Sequence, residues 1–290
     1  MISASPRPRR FRPFVALWAP LAVLVVLASG CAGDDGVIRG LSTSSSVTPG
    51  SSGGTNESIP ATPSTEPIAD SRSFIATVNP ALSAVDVFES PGGAIQRLDL
   101  DDDGTDEAVS LPNPLPSGAP ATFLIRSADQ AAPGGGLFHE VFLPVRPNGV
   151  TGFVRADDVT VSHTDLAAEI SLSGHTLTLT DGGTVVETFT IAIGTPDTPT
   201  PTGLFFVKEL IEPTNPDGAY GPLAYGLSAY SEVVLDTEAF ADGVIGIHGT
   251  NREDLLGTAA SHGCVRVANA DVLRLEELAV PLGMPVRITV

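Results

Sequence analysis

Lysine occurs once in 290 residues, as Lys208, against fourteen arginines. That scarcity closes one catalytic route. A Ser-x-x-Lys nucleophile needs a serine three residues before its lysine, and position 205 is Phe205. Cysteine is nearly as rare. Cys31 and Cys264 are the only two, so no disulfide framework supports the fold, and each cysteine has its own local setting. Positive charge is also short: 15 Lys and Arg face 34 Asp and Glu, a net charge of −19. Residues 1–30 carry four arginines and no acid, so a chain starting at Cys31 stands at −19 − 4 = −23. Such a chain is repelled by phosphate backbones, and no nucleic acid is expected as a partner. The apolar run from Phe14 to Leu27 is 14 residues long and is interrupted by Pro20. A membrane-spanning helix needs about 20.

That run has a different use. Arg7, Arg9, Arg10 and Arg12 precede it, and a basic segment before a short apolar one reads as a secretory signal. It ends in Leu27-Ala28-Ser29-Gly30-Cys31, which resembles the lipobox of bacterial lipoproteins. The resemblance implies a signal peptide over 1–30 and diacylation of Cys31. Two acyl chains would anchor the protein to the outer face of the cytoplasmic membrane. Residues 31–71 are rich in Ser, Thr, Gly and Pro and cannot bury a core. They read as a disordered tether of about 40 residues with a reach of roughly 35 Å, enough to hold the folded part toward the cell wall.

From residue 72 the pattern changes. Hydrophobic residues are 42% of the chain, and here they fall in short runs such as Phe74–Val78, Thr122–Ile125 and Glu140–Leu143, separated by Gly, Pro and Asp. No helical period appears, so residues 72–162 read as a small all-β domain. Its end, Leu143–Gly149 followed by Gly152–Val159, resembles the final strands of a bacterial SH3-like barrel, with Asn148-Gly149 as a tight turn. Asp99, Asp101, Asp103 and Gly104 resemble the first half of a calcium loop. The position that needs a bidentate Glu is Ser110, so a solvated acidic turn is the stronger reading. His139 has Leu143 where a zinc-protease helix needs a second His. His163 and His175 lie on polar segments and read as surface or structural residues.

Residues 167–290 carry the chemistry. Ala168–Leu172, Thr176–Thr180 and Val185–Thr190 alternate with period two, with Asp181-Gly182-Gly183 as a hairpin turn. Residues 212–231 hold three Pro, three Gly and Tyr220, Tyr225 and Tyr230, a composition that suits a flap over a cleft, with aromatic rings for substrate contact. Val244–Ile247 reads as a buried strand delivering His248. Asn269 is placed to cap a helix over 270–279 whose apolar stripe is Val272, Leu275 and Leu278. Between these lies Ser261-His262-Gly263-Cys264-Val265-Arg266, 264 − 248 = 16 residues after His248 counting to the cysteine. A thiol becomes a nucleophile near neutral pH only beside a base or a cation, and an imidazole within reach supplies one. A buried structural cysteine among core histidines, and a zinc site on His248, His262 and Cys264, are the competing readings.

Ile247-His248-Gly249-Thr250-Asn251 together with Ser261–Arg266, and upstream Thr200–Phe205, resembles the signature of the L,D-transpeptidases, which cross-link bacterial peptidoglycan. The resemblance covers roughly 167–290. It implies a mainly β, sandwich-like catalytic fold with a short C-terminal helix, preceded by the SH3-like domain. It also implies acyl transfer through a Cys264 thioester to give 3→3 cross-links between stem peptides, with no cofactor or metal, and acylation of Cys264 by carbapenems. On residue chemistry, Cys264 is the nucleophile and His248 the general base, with a carbonyl near Gly249 holding its tautomer. Gly263 and Cys264 N–H groups are expected to face the oxyanion. His262 and Ser261 would shape the site, and Arg266, Tyr225 and Tyr230 would meet substrate. Hydrolysis of stem peptides, or wall binding without catalysis, stays open.

Overall fold

The computed structural model describes residues 72–100, 104–234 and 243–290. The signal segment, Cys31, the tether, Asp101 and Asp103 lie outside the described residues. The first part of the chain forms β1 (Ser73–Val78), β2 (Ala84–Asp86), β3 (Arg97–Leu98), β4 (Glu107–Ala108), β5 (Ser110–Pro112), β6 (Thr122–Ala131), β7 (Leu137–Phe142), β8 (Thr151–Arg155) and β9 (Val159–Thr164). Its main sheet is antiparallel in the order β8-β7-β6-β1-β9, with the pairs β2-β5 and β3-β4 beside it. The expected all-β character holds among the described residues, where the first part has only a 3-10 turn at Ala156–Asp158.

One residue, Asp165, separates this part from the next. There follow β10 (Leu166–Ser171), β11 (Thr176–Asp181), β12 (Thr184–Thr190), β13 (Ile193–Gly194), β14 (Gly203–Ile211), β15 (Ala224–Tyr230), β16 (Val244–His248), β17 (Ala259–Ser261), β18 (Val265–Arg266), α1 (Asn269–Glu277) and β19 (Pro285–Thr289). Eight strands form one sheet in the order β12-β11-β10-β19-β14-β15-β16-β18. The β10-β19 and β16-β18 pairs are parallel and the others antiparallel. Gly182 and Gly183 turn β11 into β12 with φ of 53° and 79°, a conformation that favours glycine at both positions.

The run Leu204-Phe205-Phe206-Val207 is apolar without a break because β14 is covered on both faces. Phe205 and Val207 enter the core of the second part, with Ile170, Leu177, Tyr225, Ile247 and Val286. Phe206, fully buried, enters the core of the first, with Val78, Phe123, Val141 and Val154, and Leu204 packs against it. One strand therefore belongs to two cores.

Three local expectations need correction. Residues 212–231 are not one flap: the Gly/Pro-rich part ends near Pro222, and residues 224–230 are the regular strand β15. Asn148-Gly149 does not join adjacent strands tightly. It lies within a longer connection between β7 and β8, and the Asn148 amide pairs with the Tyr230 backbone of the second part, donating to its carbonyl at 2.7 Å and accepting its N–H at 2.9 Å. Asn269 does not cap α1. Ala268 is the N-cap, without a side-chain bond, and Asn269 Oδ1 instead accepts the Thr250 N–H at 2.8 Å. The stripe on α1 is as expected, with Val272 and Leu275 buried and Leu278 packed on the core.

Candidate active site

Strand alternation builds the site. Ile245, Ile247, Val265 and Val267 point into the core, so Gly246, His248, Cys264 and Arg266 belong to the opposite face. The β16-β18 register sets His248 beside Arg266, and the Gly246 N–H reaches Cys264 Sγ at 3.5 Å. The imidazole on β16 and the thiol just before β18 thus face one cleft of about 570 Å3 that both line.

His248 is 3% exposed. Its Nδ1 lies 2.6 Å from the Gly249 carbonyl. A carbonyl only accepts, so Nδ1 carries the proton and Nε2 keeps its lone pair. Nε2 is buried and has no hydrogen-bond partner among the described residues. Burial pulls the His248 pKa down to about 4, opposed by the Gly249 bond and aided by the Arg266 charge. Cys264 is 5% exposed and unpaired. Burial pushes its thiol above the ordinary range, only partly offset by the Gly246 N–H and Arg266. Burial thus disfavours the charged form of both groups.

The loop carrying the cysteine is tightly held. Ser261, buried, donates its hydroxyl to the Cys264 carbonyl at 2.5 Å and accepts the Gly263 N–H at 3.1 Å. Thr200 donates to the Gly263 carbonyl at 2.8 Å and accepts the Gly194 N–H at 2.9 Å. Thr195 N–H and the Thr198 hydroxyl both reach the Ser261 carbonyl, at 3.0 and 3.2 Å. Gly263 has φ of 119°, which side-chain-bearing residues rarely adopt. Its N–H, expected to face an oxyanion, is taken by Ser261. Gly246, which the motif did not mark, turns its N–H toward the sulfur instead. Gly249 is crowded: a Cβ there would lie 3.0 Å from Gly221 Cα and Pro222 Cδ and would collide with Asn269 Oδ1.

The aromatic assignments change. Tyr225 is 2% exposed and belongs to the core of the second part. It does not line the cleft, and burial holds its phenol at about 12. Tyr220 takes the place expected of it, with its ring centroid 4.7 Å from that of His248 on the cleft wall. Tyr230 does line the cleft, donating its hydroxyl to the Pro144 carbonyl at 2.6 Å. His262 is exposed. Arg266 is half-buried, and its Nε has no hydrogen-bond partner among the described residues. No group of three or more metal-ligating side chains exists among the described residues, so the zinc reading has no support there. Asp99 accepts the Gly104 N–H at 2.9 Å.

The cleft also has walls that the motif could not reveal. Leu111, Leu115, Pro116 and Phe123 of the first part face it, opposite Lys208, Glu209 and Tyr220 of the second.

A buried thiol just before β18 and a buried imidazole on β16 thus line one cleft. Comparison with known proteins gives the following likenesses. Residues 165–288 match the family model of the YkuD L,D-transpeptidase catalytic domain. The YkuD protein of Bacillus licheniformis is 40% identical over 120 residues, covering 41% of this chain and 63% of that protein. The YkuD protein of Bacillus subtilis is 39% identical over 119 residues, with the same coverage. The match thus spans less than two thirds of those relatives. Among solved structures, an L,D-transpeptidase from Mycobacterium tuberculosis overlaps 59% of this chain and 90% of its own at 16% identity, with a TM-score of 0.37.

Proposed function

We propose that the protein is a peptidoglycan L,D-transpeptidase acting on stem peptides through a Cys264 thioester. The observation that carries the reading is His248 Nε2, buried, unprotonated and without a partner among the described residues, on the strand beside Cys264. In the first half-reaction Nε2 takes the thiol proton as sulfur attacks the carbonyl between the third and fourth stem residues. The C–N bond breaks, and the imidazolium returns its proton to the departing terminal amino acid. In the second, the side-chain amine of another stem attacks the thioester and gives a proton to His248. The C–S bond breaks, giving a 3→3 cross-link and the free thiol. Burial disfavours both charged forms, so in this reading proton transfer accompanies attack rather than preceding it. Gly246 and Cys264 N–H groups are the donors proposed to face the developing negative charge.

In the same proposal, residues 1–30 export the chain, lipidated Cys31 anchors it to the outer face of the cytoplasmic membrane, and the tether carries an SH3-like unit and the catalytic unit to the wall. Hydrolysis of the thioester by water uses the same first half-reaction and is the second reading. Product analysis with donor stems, with and without an acceptor, tests the choice. A cross-linked dimer formed only with acceptor supports transfer. Tripeptide as the sole product in both supports hydrolysis.

A further inference from the structure

Three consecutive peptide units carry Gly263 and Cys264, and buried hydroxyls hold all three. Ser261 Oγ accepts the Gly263 N–H at 3.1 Å and donates to the Cys264 carbonyl at 2.5 Å, which fixes the outer two units. The middle unit joins Gly263 to Cys264. Thr200 holds it, donating its hydroxyl to the Gly263 carbonyl at 2.8 Å. Among the described residues, the N–H at the other end of that unit, on Cys264, donates to no backbone carbonyl.

The Thr200 bond can run in one direction only. Its oxygen also accepts the Gly194 N–H at 2.9 Å. An N–H only donates and a carbonyl only accepts, so the hydroxyl proton lies on the Gly263 side. Thr200 is 4% exposed, so bulk water does not compete for the bond. The close approach depends on Gly194, where a Cβ would stand 2.6 Å from the Thr200 nitrogen. Gly194 is itself paired with Ser261 across β13 and β17, so both hydroxyls belong to one frame. The middle unit needs such a hold. Gly263, with φ of 119°, has no Cβ to restrict the plane that follows it.

We infer that Thr200 is a positioning residue for acyl transfer: by fixing the Gly263–Cys264 peptide plane, it aims the Cys264 N–H at the oxygen that turns negative when sulfur attacks a carbonyl. The inference rests on the transpeptidase reading. A trans peptide unit points its N–H opposite to its C=O, so drawing the Gly263 carbonyl to Thr200 turns the Cys264 N–H away from Thr200. The hydroxyl also polarises the unit, which makes that N–H a stronger donor. Thr200 therefore acts through the backbone and not on the sulfur.

Two reagents that meet the same sulfur separate this role from support of the loop. A carbapenem acylates it. The C–S bond forms, the ring C–N bond opens, the thiol proton ends on nitrogen, and the carbonyl oxygen passes through a negative charge. Iodoacetamide alkylates it. The C–S bond forms as iodide leaves, the proton goes to solvent, and no oxyanion arises. Both rate constants are measured by intact mass at one pH for the parent protein, Thr200→Val and Thr200→Ser, each shown by thermal melting to be folded. Thr200→Val keeps the side-chain shape and loses the hydroxyl, so acylation should slow by about tenfold or more while alkylation is unchanged. Thr200→Ser keeps the hydroxyl and should acylate at close to the parent rate. With a donor stem peptide the loss in Thr200→Val should fall on kcat, with KM little changed. Where Thr200→Val does not fold, Thr200→Ala takes its place with the same expectations. Equal slowing of both reactions in the hydroxyl-less variant leaves Thr200 only a loop support and overturns the inference. So does unchanged acylation there, or a Thr200→Ser protein that acylates as slowly. No acylation of the parent protein while alkylation proceeds overturns the transpeptidase reading beneath it.

Discussion

Cys264 and His248 each pay a desolvation penalty when charged, and that shared burial shapes the pH behaviour of the site. With the His248 pKa near 4, the base is competent well below the range of a free imidazole. The acid limb of kcat/KM should therefore fall near pH 4, not near 6.5. Alkylation of the resting thiol by iodoacetamide should stay slow at neutral pH and rise only above the ordinary thiol range, since burial raises Cys264. A limb near 6.5, or fast alkylation at pH 6, would indicate a preformed ion pair instead. The same shift is a stability term. Between pH 6.5 and 4 the unfolded chain binds a proton at this histidine that the folded chain does not. Stability should fall across that window by about 3 kcal/mol and fall no further from this group below pH 4. Denaturant titrations of the protein and of His248→Asn should diverge there, with the variant flatter. That these two residues meet at one cleft was readable from spacing and chemistry. That both charged forms are disfavoured was not, because burial depends on partners far away in the chain. Tyr225 shows the same limit: its place in a Tyr-containing flap looked interchangeable with that of Tyr220, and strand alternation alone decided which ring entered the core.

At the level of elements, β14 and the His248-Gly249 turn bear the most weight. Phe206 is fully buried in the first core while its neighbours on β14 serve the second. Phe206→Ala should cost about 3–5 kcal/mol and, because the strand is common to both cores, lower a single melting transition rather than split it. Two separated transitions in the parent protein would contradict this coupling. Gly249→Ala acts elsewhere. Its Cβ would press on Gly221, Pro222 and Asn269, shifting the turn that holds the His248 tautomer. Activity should drop by tenfold or more while much of the fold's stability remains, as measured by kcat/KM beside thermal melting. The apolar run of β14 was visible in the sequence, but the existence of two cores was not, since periodicity cannot say what covers each face. The two-sided burial explains why that run showed no polar alternation.

For the whole molecule, the cleft belongs to both parts of the folded chain. Leu111, Pro116 and Phe123 form one wall, and the thiol stands in the other. Asn148 clasps the Tyr230 backbone with two hydrogen bonds, and Arg146 stacks 4.7 Å from the Tyr230 ring centroid. The first part therefore lines the cleft together with the second. Asn148→Ala should raise KM for a stem peptide several-fold with a smaller change in kcat, while an unchanged KM would assign the first part no role in the cleft. The mainly β character of both parts was legible from composition and alternation. Their contact was not, because the residues that make it, Asn148 and Leu111 among them, read locally as turn and strand. The claim on which all of this depends is that Cys264 is an acylable thiol in a stem-shaped cleft. Its most direct test is the intact mass of the protein after incubation with a carbapenem, beside Cys264→Ala. One covalent adduct is expected on the parent protein and none on the variant. No adduct on either, with the protein folded, would contradict it.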